Sequence, residues 1–330
     1  MVGYALDYRI TANNDDITSL LQKYCAQITV TDAAGYQSDS LSITLNDPGI
    51  AMPQTGAELC VAMGDKGALT PMGKYIVDEV GLSFPPHTMT ISANAAPFEG
   101  SSSGCSPLQS QRQRSFKACT LKELVCSIAT EHRLEVAVSE KLGLIKLDHI
   151  DQMDESDIHL LTRIAKEYDA IAKVNGGTIL FVERGAGYNS RGEPMPVVHL
   201  SQEQVTRGSA KISLRGAFKK IVSTYRDIAA AKDVEVVAGE GDPVYRIKGV
   251  YSNKETALQA AKQRLAFYER GKWTLSLSLP FTPELVAESR IVLDGFRTGI
   301  NGTWSVTKAT HSMSSSGATT SIEGERPVSG

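Results

Sequence analysis

The sequence predicts a β-rich α+β protein, with two antiparallel β-barrel-like domains, a middle α+β domain and a helical insertion. Three observations carry this expectation. Short period-two runs broken by turn residues fill the first hundred positions and return after Val197. Between them the texture changes to capping boxes followed by apolar residues three and four apart, which is helix spacing. A polar stretch at 99–115, EGSSSGCSPLQSQRQRS, marks the first change of texture.

Residues 1–98 form the first expected domain. Tyr4–Thr11, Gln27–Thr31, Ser40–Asn46, Ala57–Gly64, Gly73–Val80 and Thr88–Ala95 alternate as strands do. Turn signals at Ala34-Gly35, Asp47-Pro48-Gly49, Gly64-Asp65 and Pro85-Pro86 separate them. Residues 99–115 read as a linker, and the basic group Arg112, Arg114 and Lys117 as part of that solvated segment.

Residues 116–184 form the middle domain. Thr120-Leu-Lys-Glu123 spells a capping box, and Leu121, Leu124, Val125 and Ile128 carry its helix to about His132. A strand near Leu134–Val138 precedes a second helix capped by Ser156 or Asp154. Ile158, Leu161, Ala165 and Tyr168 form that helix's apolar face, widened by Leu160, Ile164 and Ile171. Ile171–Val174 and Thr178–Val182 flank Asn175-Gly176-Gly177 as a tight hairpin.

Residues 185–330 form the second β-rich domain, with a helical insertion near 252–270. Strands are expected at Lys211–Leu214, Lys219–Arg226, Val244–Val250, Trp273–Leu279 and Ile291–Leu293. Ser252-Asn-Lys-Glu255 reads as the insertion's capping box, with Ala257, Leu258, Ala261, Leu265 and Tyr268 as its stripe. The end, TWSVTKATHSMSSSGATTSIEGE, reads as a closing hairpin.

Composition excludes several functions. The chain has 330 residues, 42% hydrophobic and 22% charged, which is ordinary for a folded protein. Its net charge is −3 and its 34 basic residues are scattered, so sequence-specific nucleic-acid binding is not expected. No apolar run is long enough for stable membrane insertion. The start lacks a secretory signal, and five cysteines without a C-x-x-C pair suit reduced thiols. Synthesis in the cytoplasm is therefore expected.

The chemically densest stretch is HIDQMDESDIHLLTRIAKEYDA, residues 149–170. Asp154, Glu155 and Asp157 would crowd a helix's first turn, where the dipole favours acids, and Arg163 could pair with Glu167. His149, Asp151 and His159 have no spacing that fixes them on one point, so no metal site is expected. The glycines of Gly185–Gly192 are misspaced for a dinucleotide loop and read as a surface loop. Asn301-Gly-Thr303 reads as a turn before a strand at Trp304. No catalytic motif is present, so no catalytic residue, metal or cofactor is expected.

The same dense stretch carries a resemblance. Gln152, Glu155, Ser156, Asp157, Leu161, Arg163 and Ala165 fall in a pattern similar to the Q-x-x-E-S-D-then-helix signature of phage tail hub proteins, the late control protein D family. The hub module of type VI secretion spike proteins shares it. Pro53-x-x-Gly56-Ala57-Glu58-Leu59, with Met72-Gly73-Lys74-Tyr75-x-Val77-Asp78, resembles that family's first barrel. Arg114-Ser115-Phe116 with Thr120-Leu121-x-Glu123-Leu124-Val125 resembles its middle unit, and Trp304-x-Val306, His311 and Gly317 its closing hairpin. Where the spike proteins carry Glu-Gly-Ile, this chain has Tyr168-Asp169-Ala170. With no needle domain in this length, the free-standing phage or phage-derived form fits better.

The resemblance implies a homotrimeric ring in a contractile-tail baseplate, joining a three-fold central spike to a six-fold tail tube. Its implied partners are the spike, the tail tube and baseplate wedge proteins, and the tape-measure protein, all in a phage or phage-like particle. Two rival functions make different demands. A peptidoglycan hydrolase would use acids such as Asp154 or Glu155, but three acids in one helical turn converge poorly on a bond. A wall-binding adaptor would show aromatic platforms, whereas aromatic residues make up 6% of the chain.

Overall fold

The computed structural model describes residues 6–327 except 36–37, 48, 96–106, 148, 176, 186, 189–192 and 214–217. The first region contains β1 (Leu6–Ala12), β2 (Asp15–Asp16), α1 (Thr18–Lys23), β3 (Gln27–Ala33), β4 (Ser40–Asn46), β5 (Glu58–Asp65), β6 (Ala68–Ser83) and β7 (Thr88–Ala95). Its strands run antiparallel in the order β3-β4-β7-β6-β5-β1-β2. Alternation decides which face is inside: Leu41, Ile43 and Leu45 of β4 point into one core with Ile10, Ile28, Val61 and Met63. Burying each such side chain contributes about 2 kcal/mol. The strands expected at 40–46 and 88–95 match in full, and β6 is longer than expected at both ends.

The middle region holds β8 (Gln111–Phe116), β9 (Cys119–Thr120), α2 (Leu121–His132), β10 (Glu135–Val138), α3 (Glu140–Gly143), β11 (Lys146–Leu147), β12 (Ile150–Ser156), α4 (Asp157–Glu167), β13 (Ala170–Asn175) and β14 (Thr178–Glu183). Thr120 and Glu123 form the expected capping box on α2. Arg133 ends that helix in the left-handed region, which turns the chain into β10. Leu124, Ile128, Leu160, Leu161, Ile164 and Phe181 meet in a second core. The linker reading fails at 111–115, because β8 pairs antiparallel with β12 there. Arg112 and Arg114 thus sit in a strand, held by partners far along the chain, which a local reading cannot see.

The last region holds β15 (Val198–Ser201), β16 (Arg207–Ile212), β17 (Lys220–Asp227), β18 (Lys232–Gly239), β19 (Val244–Tyr251), α5 (Lys254–Arg270), β20 (Trp273–Pro280), β21 (Arg290–Asp294), β22 (Gly302–Ser314) and β23 (Gly317–Glu325). β17, β18 and β19 form a small sheet against α5, and Ser223 Oγ donates to Ala257 O at 2.6 Å. β18 was not expected from sequence. The strand expected at Lys211–Leu214 starts earlier, at Arg207, and Leu214 lies outside the described residues. Asn253, not Ser252, caps α5, its side chain accepting from Thr256 N at 2.9 Å.

The two β-rich regions are not separate. β22 pairs with β3, placing Lys308 opposite Ala33 and Met313 opposite Ile28. This seam makes one sheet of thirteen strands among the described residues, whose main path ends at β16 and β2. The β-rich α+β class holds, but among the described residues the strand order shows no closure of either half into a barrel. A third core, with Trp304, Leu277, Ile291 and Val306, fills the last region beside the seam. Among the described residues, no helix is long and apolar enough to cross a membrane.

Candidate functional site

The signature residues converge on Asp157, the first residue of α4, whose side chain is fully buried. β8 and β12 place Arg114 opposite Gln152 and Arg112 opposite Glu155, and a bulge at Asp154 shifts the register between them. Asp157 Oδ1 accepts from Arg114 Nη2 at 2.5 Å and from Gln152 Nε2 at 2.9 Å. Asp157 Oδ2 lies 2.7 Å from His132 Nε2 and 3.5 Å from Arg112 Nε. Gln152 Oε1 accepts from Arg114 Nε at 2.7 Å, and its amide also donates to Glu155 O at 2.9 Å. Burial by itself would raise the pKa of Asp157. The hydrogen bonds from His132 and Gln152 and the charges of Arg114 and Arg112 outweigh it and hold the carboxyl below its usual value.

The other signature residues serve the same joint. Ser156 is the N-cap of α4, its Oγ accepting from His159 N at 3.3 Å. Glu155 binds Arg163 at 2.5 and 3.2 Å, and Arg163 also donates to Asp151 O at 2.9 Å. The hydrogen bonds of Arg163 go to Glu155, whose carboxylate reaches forward over the first turns, while the expected partner Glu167 acts on it through charge. Leu161 and Ala165 are fully buried in the middle core. Only Asp157 of the three expected acids stands in the first helical turn. Asp154 and Glu155 lie on β12, where Asp154 accepts from Gln113 at 2.6 Å. These two acids are tied to structural donors and do not face each other across a cleft.

Glu131, His132 and Asp157 come close enough to suggest a cation site. The donor set argues against one. Glu131 is already bridged to Arg112 and to Arg114, and Asp157 to both arginines, so two guanidinium groups supply the positive charge there.

A second set of charges, largely buried, fastens the three regions together, and no sequence motif announces it. Lys173 of β13 reaches Asp39 at 2.7 Å and Asp32 at 3.0 Å, both in the first region. Asp32 Oδ2 also accepts from Ala287 N of the last region at 2.9 Å. Burial, reinforced by the neighbouring Asp32, pushes Asp39 up to about 7. Nearby, Glu288 Oε2 accepts from Gly185 N at 3.1 Å, while burial pushes its carboxyl up to about 7. Arg290 donates to Gly185 O at 3.1 and 3.2 Å. Gly185 and Gly187 are buried, which corrects the surface-loop reading at those positions. Arg270 of α5 binds Asp169 and lies 3.5 Å from Glu325, completing a further clasp between the middle and last regions.

A continuous sheet tied to the middle region by charged clasps, with the signature residues held in internal hydrogen bonds, gives these residues a structural role. The comparisons place the chain within a family. Residues 108–317 match the model described as phage tail baseplate hub (GPD), and the chain belongs to that family. It is 32% identical to the "Probable baseplate hub protein" of Escherichia phage P2, over 96% of this chain and 92% of that one. A tail protein from Neisseria meningitidis has the same fold, with a TM-score of 0.71 at 13% identity, covering 98% of this chain and 97% of that one. A component of the Escherichia coli type VI secretion system is similar over 98% of this chain and 77% of its own, with a TM-score of 0.57 at 12% identity. The chain is thus a baseplate hub protein of a phage tail, and its sequence relatives carry the names of structural parts.

Proposed function

We propose that three copies of this chain form a ring at the centre of a contractile-tail baseplate, joining a three-fold central spike to a six-fold tail tube. The observation that carries this reading is the β3–β22 seam. It joins two β-rich regions of one chain side by side in one sheet, so a trimer would present six such regions to the tube. The charged joints support it too, since an adaptor that transmits load must not let its parts drift. Within this reading the chain divides into β-rich units at 1–98 and 185–330 around the α+β unit at 116–184. The homotrimer meets the spike below, and tail tube, baseplate wedge and tape-measure proteins around and above. It is made in the bacterial cytoplasm and built into a virion or a phage-like bacteriocin particle.

Purified tails test this by quantitative mass spectrometry. The chain should occur at three copies per particle, in equal number with the spike. Six or more copies, or absence from the particle, would contradict the reading.

A further inference from the structure

Among the described residues, no strand ladder ties the middle unit to the thirteen-stranded sheet. The two β-rich regions, by contrast, are joined by backbone pairing at β3 and β22. The core of the middle unit is also separate from theirs. Its boundary is closed in part by two buried carboxyl groups, Asp39 of the first region and Glu288 of the last. Neither has a base to itself.

Asp39 and Asp32 share Lys173 of β13, so two carboxyls meet one ammonium. The two carboxyls also hydrogen-bond to each other. Ionised carboxylates only accept, so that bond needs a proton on one of them. Tyr75 of β6 lies near the pair, its hydroxyl donating to Met72 O at 2.8 Å. At Glu288, Oε2 accepts from Gly185 N, and Oε1 is buried with no partner among the described residues. The charged groups around it are engaged elsewhere. Lys173 serves the aspartates, Arg184 lies 3.8 Å from Glu325 of β23, and Arg290 of β21 donates to Gly185 O. His311 of β22, beside Asp32, lies 3.1 Å from Leu285 O, and burial pushes its pKa down. Glu288 also holds a φ of +67°, in the left-handed region that a residue with a side chain seldom adopts. Such strain persists only where the surroundings impose it, and it gathers at switch regions.

We propose that this joint is a proton-held latch, shut while Asp39 and Glu288 each keep a proton, and released on their loss so that the middle unit moves against the sheet. Ionised, Glu288 holds a charge in a buried site near Glu325, and Asp39 faces Asp32 across a single ammonium. Burial is the main cause that pushes both carboxyls up to about 7. These folded values lie above the ordinary ones. The hold is therefore full below the ordinary carboxyl range and is lost as pH rises through about 7. The contacts at stake, Lys173 to Asp39 and Gly185 to Glu288, both cross the boundary of the middle unit. The β3–β22 seam is a backbone ladder and needs neither acid, so the β-rich regions stay joined and each core stays folded.

Hydrogen exchange of the full-length chain at pH 5.5 and 8.5, corrected for the intrinsic rate, tests this at the Gly185 amide. Its protection is expected to fall about tenfold or more, while Ile43 of β4 and Ile128 of α2 keep theirs. An ionised Glu288 in a shut joint would hold Gly185 more tightly, so the fall reports opening and not a change of acceptor. Acylation of the Lys173 amine, measured against exposed Lys248 in the same sample, is expected to rise with it. Both changes disappear in the double variant Asp39→Asn, Glu288→Gln, whose amide side chains have no proton to lose. Protected Ile43 and Ile128 at pH 5.5 show that this variant has folded. Unchanged protection of Gly185 in the wild type overturns the latch. So does a fall shared by Ile43 and Ile128, which is unfolding, or a fall that persists in the double variant. Should that variant fail to fold, each single substitution must lessen the fall, and one that leaves it whole overturns the assignment.

Discussion

Asp157 accepts from Arg114 and Gln152 on one oxygen and meets His132 on the other, with no exposed surface of its own. Removing such an acceptor strands buried donors, which costs about 3–5 kcal/mol. Asp157→Ala is expected to lower the urea midpoint accordingly, whereas Glu155→Gln, whose partner Arg163 is largely exposed, is expected to cost about 0.5 kcal/mol. Equal losses would contradict this ranking of the signature. Glu288 gives a pH dependence. Its folded pKa is raised to about 7 by burial, from an ordinary value of 4.5, so the folded state keeps a proton that the unfolded chain gives up. The stability it contributes is full below the unfolded value and is lost as pH rises to about 7, by about 3 kcal/mol at most. Thermal melting from pH 4 to 8 should show this fall, and Glu288→Gln should lessen it, leaving the share that Asp39 contributes over the same range. The sequence offered Ser156, beside Asp154, as the cap because a cap bonds to its own helix, and the structure selects Ser156. It concealed Asp157's role because the donors come from β8, α2 and β12.

At the scale of elements, the caps separate what is local from what is not. Thr120 and Glu123 were legible because both halves of a capping box lie three residues apart. For α5 the same spelling pointed one residue early. Asn253→Ala should cost about 1 kcal/mol, and Ser252→Ala less, measured by the melting of each variant; the reverse order would restore the sequence reading. Strands with clean alternation, β4 and β7, were read in full. β18 escaped because Lys232, Asp233 and Glu235 interrupt its apolar residues, and it is a strand only because β17 pairs along its length. β8 escaped for the same reason: a polar run looks like a linker until β12 lies beside it.

At the scale of the molecule, composition and pattern established the class but not the joints. Nothing in the sequence tells β3 to pair with β22, some 280 residues away, since both are ordinary alternating strands. The Lys173 clasp is equally hidden, because its three partners all come from the first region, more than 130 residues away. Lys173→Met is expected to leave Asp32 and Asp39 facing each other in a buried joint, costing about 3 kcal/mol. Limited proteolysis should then release the middle unit from the β-rich regions before either is degraded. Release at the wild-type rate would show that the seam alone holds the regions together. The most direct test of the hub itself is the native mass of the chain co-expressed with its spike protein. A complex of three chains with three spike subunits is expected, and a monomer that ignores the spike would contradict the account.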